Sequence, residues 1–255
     1  KNMKNIKAYW VIGGALVLSV FISSSFSLLR GTTKYLFTSK DDISVTGSTA
    51  MDFTSDLIVW RASFIKKDIN LKTAYKQIKE DRNTISDFLL LKGVLDNEIT
   101  FKSIDIKKNY KQKKKFNSDG DKVDSESIFN DYTLTQEVEI SSNDVNLIES
   151  ISNEVTDLIE KNVFITSYPP KYYYTKLGEL KIQMIKSAAQ DGLVRASTAI
   201  EGGGGELGEL LETSIGVFQI LGKNSNDNFS WGGTLNTLNK EKTAYVNVKQ
   251  RYEID

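Results

Sequence analysis

The sequence predicts an α+β fold: one N-terminal transmembrane helix followed by a two-lobed domain with helices packed on antiparallel or mixed sheet. Three observations lead to it. An uncharged apolar run opens the chain. Behind it, segments with apolar residues three and four apart alternate with segments of period two, so that strand, helix, strand occurs twice. The chain also has no cysteine, so no disulfide framework staples it and the core rests on burial alone.

The opening run is Ala8–Leu29 (AYWVIGGALVLSVFISSSFSLL). At about 1.5 Å rise per residue, roughly twenty helical residues cross the ~30 Å hydrocarbon core of a bilayer. Lys1, Lys4 and Lys7 precede it and Arg30 and Lys34 follow; the basic excess before the run favours a cytoplasmic N-terminus and an exported remainder. Residues 1–30 are thus read as a cytoplasmic tip and signal anchor in the inner membrane, 31–42 as a polar connector, and 43–255 as a periplasmic or extracellular domain. A cleaved signal peptide is the competing reading: Ser23, Ser24, Ser25 and Ser27 imitate a small-residue cleavage site, although no A-x-A pattern is present. Gly13, Gly14, Ser19, Ser23 and Ser27 line up small positions that let membrane helices approach closely, a composition also ordinary in such helices.

After the connector, Ile43–Gly47 and Asp56–Phe64 read as strands with a turn over Met51–Ser55. Leu71, Ala74, Tyr75, Ile78, Ile85, Phe88 and Leu89 draw one apolar stripe along a helix, which Asp68 or Asn70 caps and Lys92-Gly93 ends. Ile99–Ile106 and Tyr132–Ile140 are strands on either side of a long charged hairpin, residues 107–131, basic first and acidic afterwards, with Asp119-Gly120 as its turn dipeptide. A second helix spans Asp144–Lys161. Val163–Tyr174 is extended, with Pro169-Pro170 suited to an edge. A third helix covers Lys176–Ile200 and stops at Gly202–Gly205. Leu210–Leu221 and Lys242–Ile254 are the last strands.

This arrangement resembles the bacterial SIMPL-domain proteins, a family of unknown function. The opening ISVTGSTAMDFTSDLIVWRASF is similar to that family's glycine-containing strand, turn and second apolar strand. The segment KSAAQDGLVRASTAIEGGGGELGELLETSIGVFQI is similar to its alanine-rich helix, glycine-marked turn with Leu-Gly, and strand ending in a Val-Phe-Gln-Ile type sequence. The resemblance covers Ile43–Asp255, with the hairpin as its most atypical insertion. Gln190-Asp191-Gly192 and the run of four glycines depart from the family pattern. The resemblance implies an exported envelope protein without established catalysis, linked to envelope stress and in some members assembled into ring- or cage-like homo-oligomers; it supplies no catalytic residue.

The chain's chemistry narrows the function further. Lysine plus arginine equals aspartate plus glutamate at 33 each, so no global field draws nucleic acid. Without histidine or cysteine, imidazole bases, thiolate nucleophiles and every triad built on them are excluded. The carboxylate pairs Glu206 with Glu209 and Asp119 with Asp121 read as solvated turn charges. Asn117, Asp119 and Asp121 have the wrong glycine position and no closing glutamate for a calcium loop. Gly202–Gly205 lacks the lysine and hydroxyl residue of a P-loop. No catalytic residue, cofactor or metal is therefore expected.

Two interaction surfaces remain. Lys107, Lys108, Lys111, Lys113, Lys114 and Lys115 form a basic run, which either contacts anionic lipid or is neutralised by the acidic strand opposite. Tyr172, Tyr173 and Tyr174, after the proline pair, read either as core and edge packing or as a binding patch. The expected partners are membrane lipid through Ala8–Leu29, further copies of the chain and, as an alternative, another membrane protein complex on which this chain docks as an accessory or ligand-binding subunit.

Overall fold

A computed structural model describes residues 41–116 and 122–255. The described chain runs β1 (Asp42–Thr54), β2 (Leu57–Asp68), α1 (Leu71–Leu91), a 3-10 turn (Asp96–Glu98), β3 (Ile99–Phe101), β4 (Asp105–Phe116), β5 (Lys122–Ser142), α2 (Val145–Glu154), a second 3-10 segment (Val155–Lys161), β6 (Ile165–Ser167), β7 (Lys171–Tyr173), α3 (Leu177–Gly202), β8 (Leu207–Ile215), β9 (Gln219–Gly222), β10 (Thr234–Leu235) and β11 (Glu241–Ile254). The α+β expectation holds. The chain divides into two compact units, one holding 192–214, 249–255 and the residues up to 46, the other 47–191 and 215–248. Among the described residues no helix is long and apolar enough to cross a membrane. The expected span Ala8–Leu29, with Gly13, Gly14, Ser19, Ser23 and Ser27, lies outside them.

In the larger unit, β2 and β5 form the centre of an antiparallel six-stranded sheet, with β3 and β4 beside β5 and β6 and β7 beside β2. Period-two alternation buries Ile58, Trp60, Ala62 and Phe64 on one face of β2. The register sets Trp60 opposite Ile140 and Ala62 opposite Val138, so both strands present one apolar face. Helix α1 covers that face with Ala74, Ile78, Ile85 and Leu89, and α2 with Val145, Ile148 and Ile151. Asn70 caps α1 by accepting the backbone N–H groups of Lys72 at 2.9 Å and Thr73 at 3.4 Å. Full burial of each large aliphatic side chain contributes about 1.5–3 kcal/mol, which makes this face the main source of stability.

The opposite face of the same sheet is polar. Glu139 binds Arg61 at 2.7 Å and Lys102 at 3.0 Å, and the Ser63 and Tyr168 hydroxyls meet at 3.0 Å.

The second sheet has the order β1-β11-β9-β10, with β8 also paired to β11. Within the larger unit, Met184 and Ala188 of α3 pack on Ile220, Ala244, Val246 and Val248. In the smaller unit, Ala196, Ile200 and Tyr252 are buried, whereas β8 is exposed from Glu209 onward. There α3 ends as expected: the N–H groups of Gly203 and Gly205 return to the Ile200 carbonyl, and Gly204 takes φ +84°.

Three local expectations change. No turn breaks Met51–Ser55: β1 continues to Thr54 because Met51 and Phe53 keep the inward phase, and the chain changes sheet at Ser55-Asp56 instead. The helix expected over Asp144–Lys161 tightens into 3-10 form at Val155 and Thr156, β-branched residues that disfavour a continued α-turn, and ends at Asn162 with φ 61°. The strand expected over Leu210–Leu221 is split by Gly216, whose N–H reaches the Asn247 carbonyl at 2.8 Å; a Cβ there would lie 3.0 Å from that oxygen. The described part of the charged insertion is a two-stranded β-ribbon with register shifts at Asn109/Tyr110 and Lys115/Phe116: from Asp131 back to Lys122, β5 pairs only with β4.

Candidate functional site

A dense polar constellation lies where β1 passes into β2. Lys242 of β11 donates to Ser55 Oγ at 2.8 Å and to the Tyr172 carbonyl at 2.6 Å. The neighbouring Asp56 accepts the Thr175 backbone N–H and hydroxyl, each at 2.7 Å, and its own N–H donates to the Tyr173 carbonyl at 3.1 Å. These bonds outweigh the desolvation that would raise the Asp56 carboxyl and hold it below the usual range. Lys240 spans from the same segment to Asn146 at 2.6 Å and Glu149 at 2.9 Å on α2.

Burial pushes the Lys242 ammonium down to about 8. A serine beside a lysine of lowered pKa is one of the nucleophile arrangements open to a chain without histidine or cysteine. Yet Ser55 is 3% exposed and Lys242 1%, so no reacting group can approach the hydroxyl. The pair is a buried clamp joining β1, β7 and β11. Sequence reading passed over it, although Lys242 shares the parity of Ala244, Val246 and Val248 and so had to face the core.

Of the basic run, Lys107, Lys108, Lys111, Lys113 and Lys114 are exposed on β4. The register sets Lys113 opposite Glu126 and Lys115 opposite Asp124, while Lys107, Lys108 and Lys111 face Thr133, Tyr132 and Ile128. The acidic strand therefore lies across from the outer lysines only. An aromatic row, Tyr110, Phe129 and Tyr132, stiffens the ribbon through ring contacts at 6.0 and 5.0 Å. Asp119 and Asp121 lie outside the described residues.

The three tyrosines do not form one patch. Tyr172 packs against the larger core; burial, reinforced by Glu149, pushes its hydroxyl up to about 12. Tyr173, in the opposite strand phase, lines a cavity of about 410 Å³ with Arg61, Glu137, Tyr168 and Leu238. Tyr174 lies past the end of β7 and tilts against Phe53 at 4.8 Å.

An open groove of about 650 Å³ lies on the second sheet's face away from α3, within the larger unit. Its floor is Ser48 and Ala50 of β1 with Tyr245 and Asn247 of β11; Val217, Phe229, Ser230 and Trp231 bound it. The loop after β9 brings the aromatics there. Gln219 clasps Ser230 from both sides, donating to its carbonyl at 2.6 Å and accepting its N–H at 3.2 Å. Asp227 accepts the Gly222 N–H at 2.9 Å and the Asn236 amide at 2.6 Å, bonds that hold its carboxyl below the usual range.

With this geometry established, a family model described as SIMPL, protein of unknown function (DUF541), matches residues 43–245. The chain belongs to the SIMPL family. None of the curated proteins compared with it matches. The SIMPL match begins one residue into β1 and ends inside β11, so it takes in the clamp, the charged ribbon and the groove as far as Tyr245, with Val246 and Asn247 beyond it.

Proposed function

We propose that this SIMPL protein is a noncatalytic, membrane-tethered envelope protein whose domain lies outside the cytoplasm and assembles with further copies into a ring- or cage-like homo-oligomer. The observation that carries the assembly is the pair of unlike free edges in the smaller unit. The strand order there is β1-β11-β8, and among the described residues neither β1 nor β8 has a strand on its outer side. Strand β8 exposes Leu210 at 50% and Leu211 at 44%. Open edges bearing apolar side chains recruit strands. Pairing β8 of one copy with β1 of the next is head-to-tail, and head-to-tail contacts close into rings when the rotation permits. The uncharged run Ala8–Leu29 and the lysines before it support the tether, and the burial of Ser55 and Lys242 supports the absence of catalysis.

Size-exclusion chromatography with light scattering on the detergent-solubilised full chain tests this. A defined multiple of the protomer is expected, and the double substitution Leu210→Lys, Leu211→Lys should reduce it to the protomer. A wild-type monomer in both detergent and lipid contradicts the assembly.

A second reading, docking on another membrane protein complex, is favoured by the ribbon alone, since its lysines are exposed on a two-stranded extension. Affinity purification from native membranes separates the two: loss of a defined partner on shortening 107–131, with self-assembly unchanged, favours docking.

A further inference from the structure

The groove of the second sheet presents a chemistry that neither assembly nor tethering uses. Twelve residues line it and none carries a charge, in a chain of which 26% of residues are charged. Its volume of about 650 Å³ lies inside the ~300–1,000 Å³ range of small-molecule sites. Trp231 is 101% exposed and Phe229 65%. An indole fully in water forgoes a large hydrophobic gain and marks a contact surface.

The exposure is imposed by the backbone. Besides the Gln219 clasp on Ser230, the Gly233 N–H donates back to the Ser230 carbonyl at 3.0 Å, and Gly233 holds φ +89° where a Cβ would lie 2.8 Å from the Phe218 carbonyl. Phe229 rests edge-on against Tyr245 at 5.5 Å and 79°. The backbone that carries Trp231 is thus ordered by polar bonds and by Phe229 before any ligand arrives; such preorganisation lowers the cost of binding.

The occupant follows from the lining. With no cation or carboxylate in the groove, a charged ligand would have no counter-charge. A peptide adding as a strand needs a free backbone edge; β11 in the floor is already paired on both sides, and on the open β1 the Ser48 N–H is bound by Asp191 at 2.8 Å, so the octapeptide below probes what is left of that edge. A purely apolar ligand would waste the Ser48 hydroxyl and Asn247 amide that line the floor. A sugar ring combines a flat C–H face, which stacks on an aromatic ring, with a rim of neutral hydroxyls. We propose that the groove binds a neutral saccharide, stacked on Trp231 and hydrogen-bonded to Asn247 and Ser48.

This stands apart from the assembly reading and is tested separately. The full chain, solubilised in a sugar-free amine-oxide detergent, is titrated with chitohexaose, cellohexaose, maltohexaose, polygalacturonate and an extended Thr-Val octapeptide, read by calorimetry and tryptophan emission. At least one neutral hexasaccharide should bind saturably with a blue shift. Trp231→Ala should weaken it at least tenfold and Asn247→Ala at least threefold, whereas Trp231→Phe, which keeps an aromatic face, should stay within threefold. Absence of saccharide binding at millimolar concentration, undiminished binding in Trp231→Ala, or preference for polygalacturonate or the peptide overturns the proposal.

Discussion

The sheet built on β2 and β5 hides its apolar side chains beneath α1 and α2 and shows water a lattice of Arg61, Lys102, Glu139 and Ser63. The sheet built on β11 does the reverse on its open face: α3 covers a smaller core, while Trp231, Phe229 and Val217 stand in solvent. In the smaller unit, Leu210 and Leu211 are likewise exposed on β8, which among the described residues pairs with β11 alone. Both sheets obey the same alternation rule, so local propensity does not account for the contrast. Buried apolar area is concentrated in one sheet and exposed apolar surface in the other.

The largest expected effect lies in the sealed face. Trp60 is fully buried, with its indole N–H donating to Ser167 Oγ at 3.0 Å, so Trp60→Ala should cost about 3–5 kcal/mol through cavity formation and orphan that hydroxyl contact. Denaturant unfolding monitored by circular dichroism measures it. Met184→Ala in the smaller core should cost less, and the reverse order would break the comparison.

The clamp gives a pH signature. Because the folded Lys242 binds its proton less tightly than in the unfolded chain, about 8 against an ordinary 10.5, the unfolded state holds more protons between those values, and its stability contribution rises with pH across that window. At about 1.36 kcal/mol per unit the gain is at most about 3 kcal/mol. The difference between wild type and Lys242→Met, followed by urea midpoints from pH 7.5 to 10.5, should widen steadily in favour of wild type. A constant difference would show that the ammonium is not desolvated in the folded protein.

A cap and an edge give the smallest effects on stability. Asn70→Ala should lose about 1 kcal/mol by freeing two N–H groups at the start of α1. Leu210→Lys with Leu211→Lys should leave the melting of the protomer within about 0.5 kcal/mol per site, since both positions are exposed, while abolishing association. A large loss of protomer stability instead would mean that β8 is structural.

The elements read best from sequence are those whose periodicity is long. The α1 stripe from Ala74 to Leu89 and the β5 alternation from Leu134 to Ile140 repeat often enough to fix the element and its buried face. What escaped depends on partners distant in sequence. The groove exists because Gln219 reaches Ser230, and an Asn/Ser/Gly loop carries no periodic trace of such a bond. The tyrosine run divides for a related reason: β7 is only three residues long, so strand alternation covers Tyr172 and Tyr173 and ends before Tyr174. Lys242 was readable in principle, since its parity matches the core residues after it, but a lysine among apolar neighbours invites the assumption of a solvated head group.

The account turns on the unpaired edges of the β11 sheet being contact surfaces between copies. Particle mass of the full chain in lipid nanodiscs, measured molecule by molecule at sub-micromolar concentration, tests this most directly. A single species of several protomers that collapses to one protomer in Leu210→Lys, Leu211→Lys is the predicted result. A lone protomer in the wild type, or an assembly indifferent to those two lysines, would contradict it.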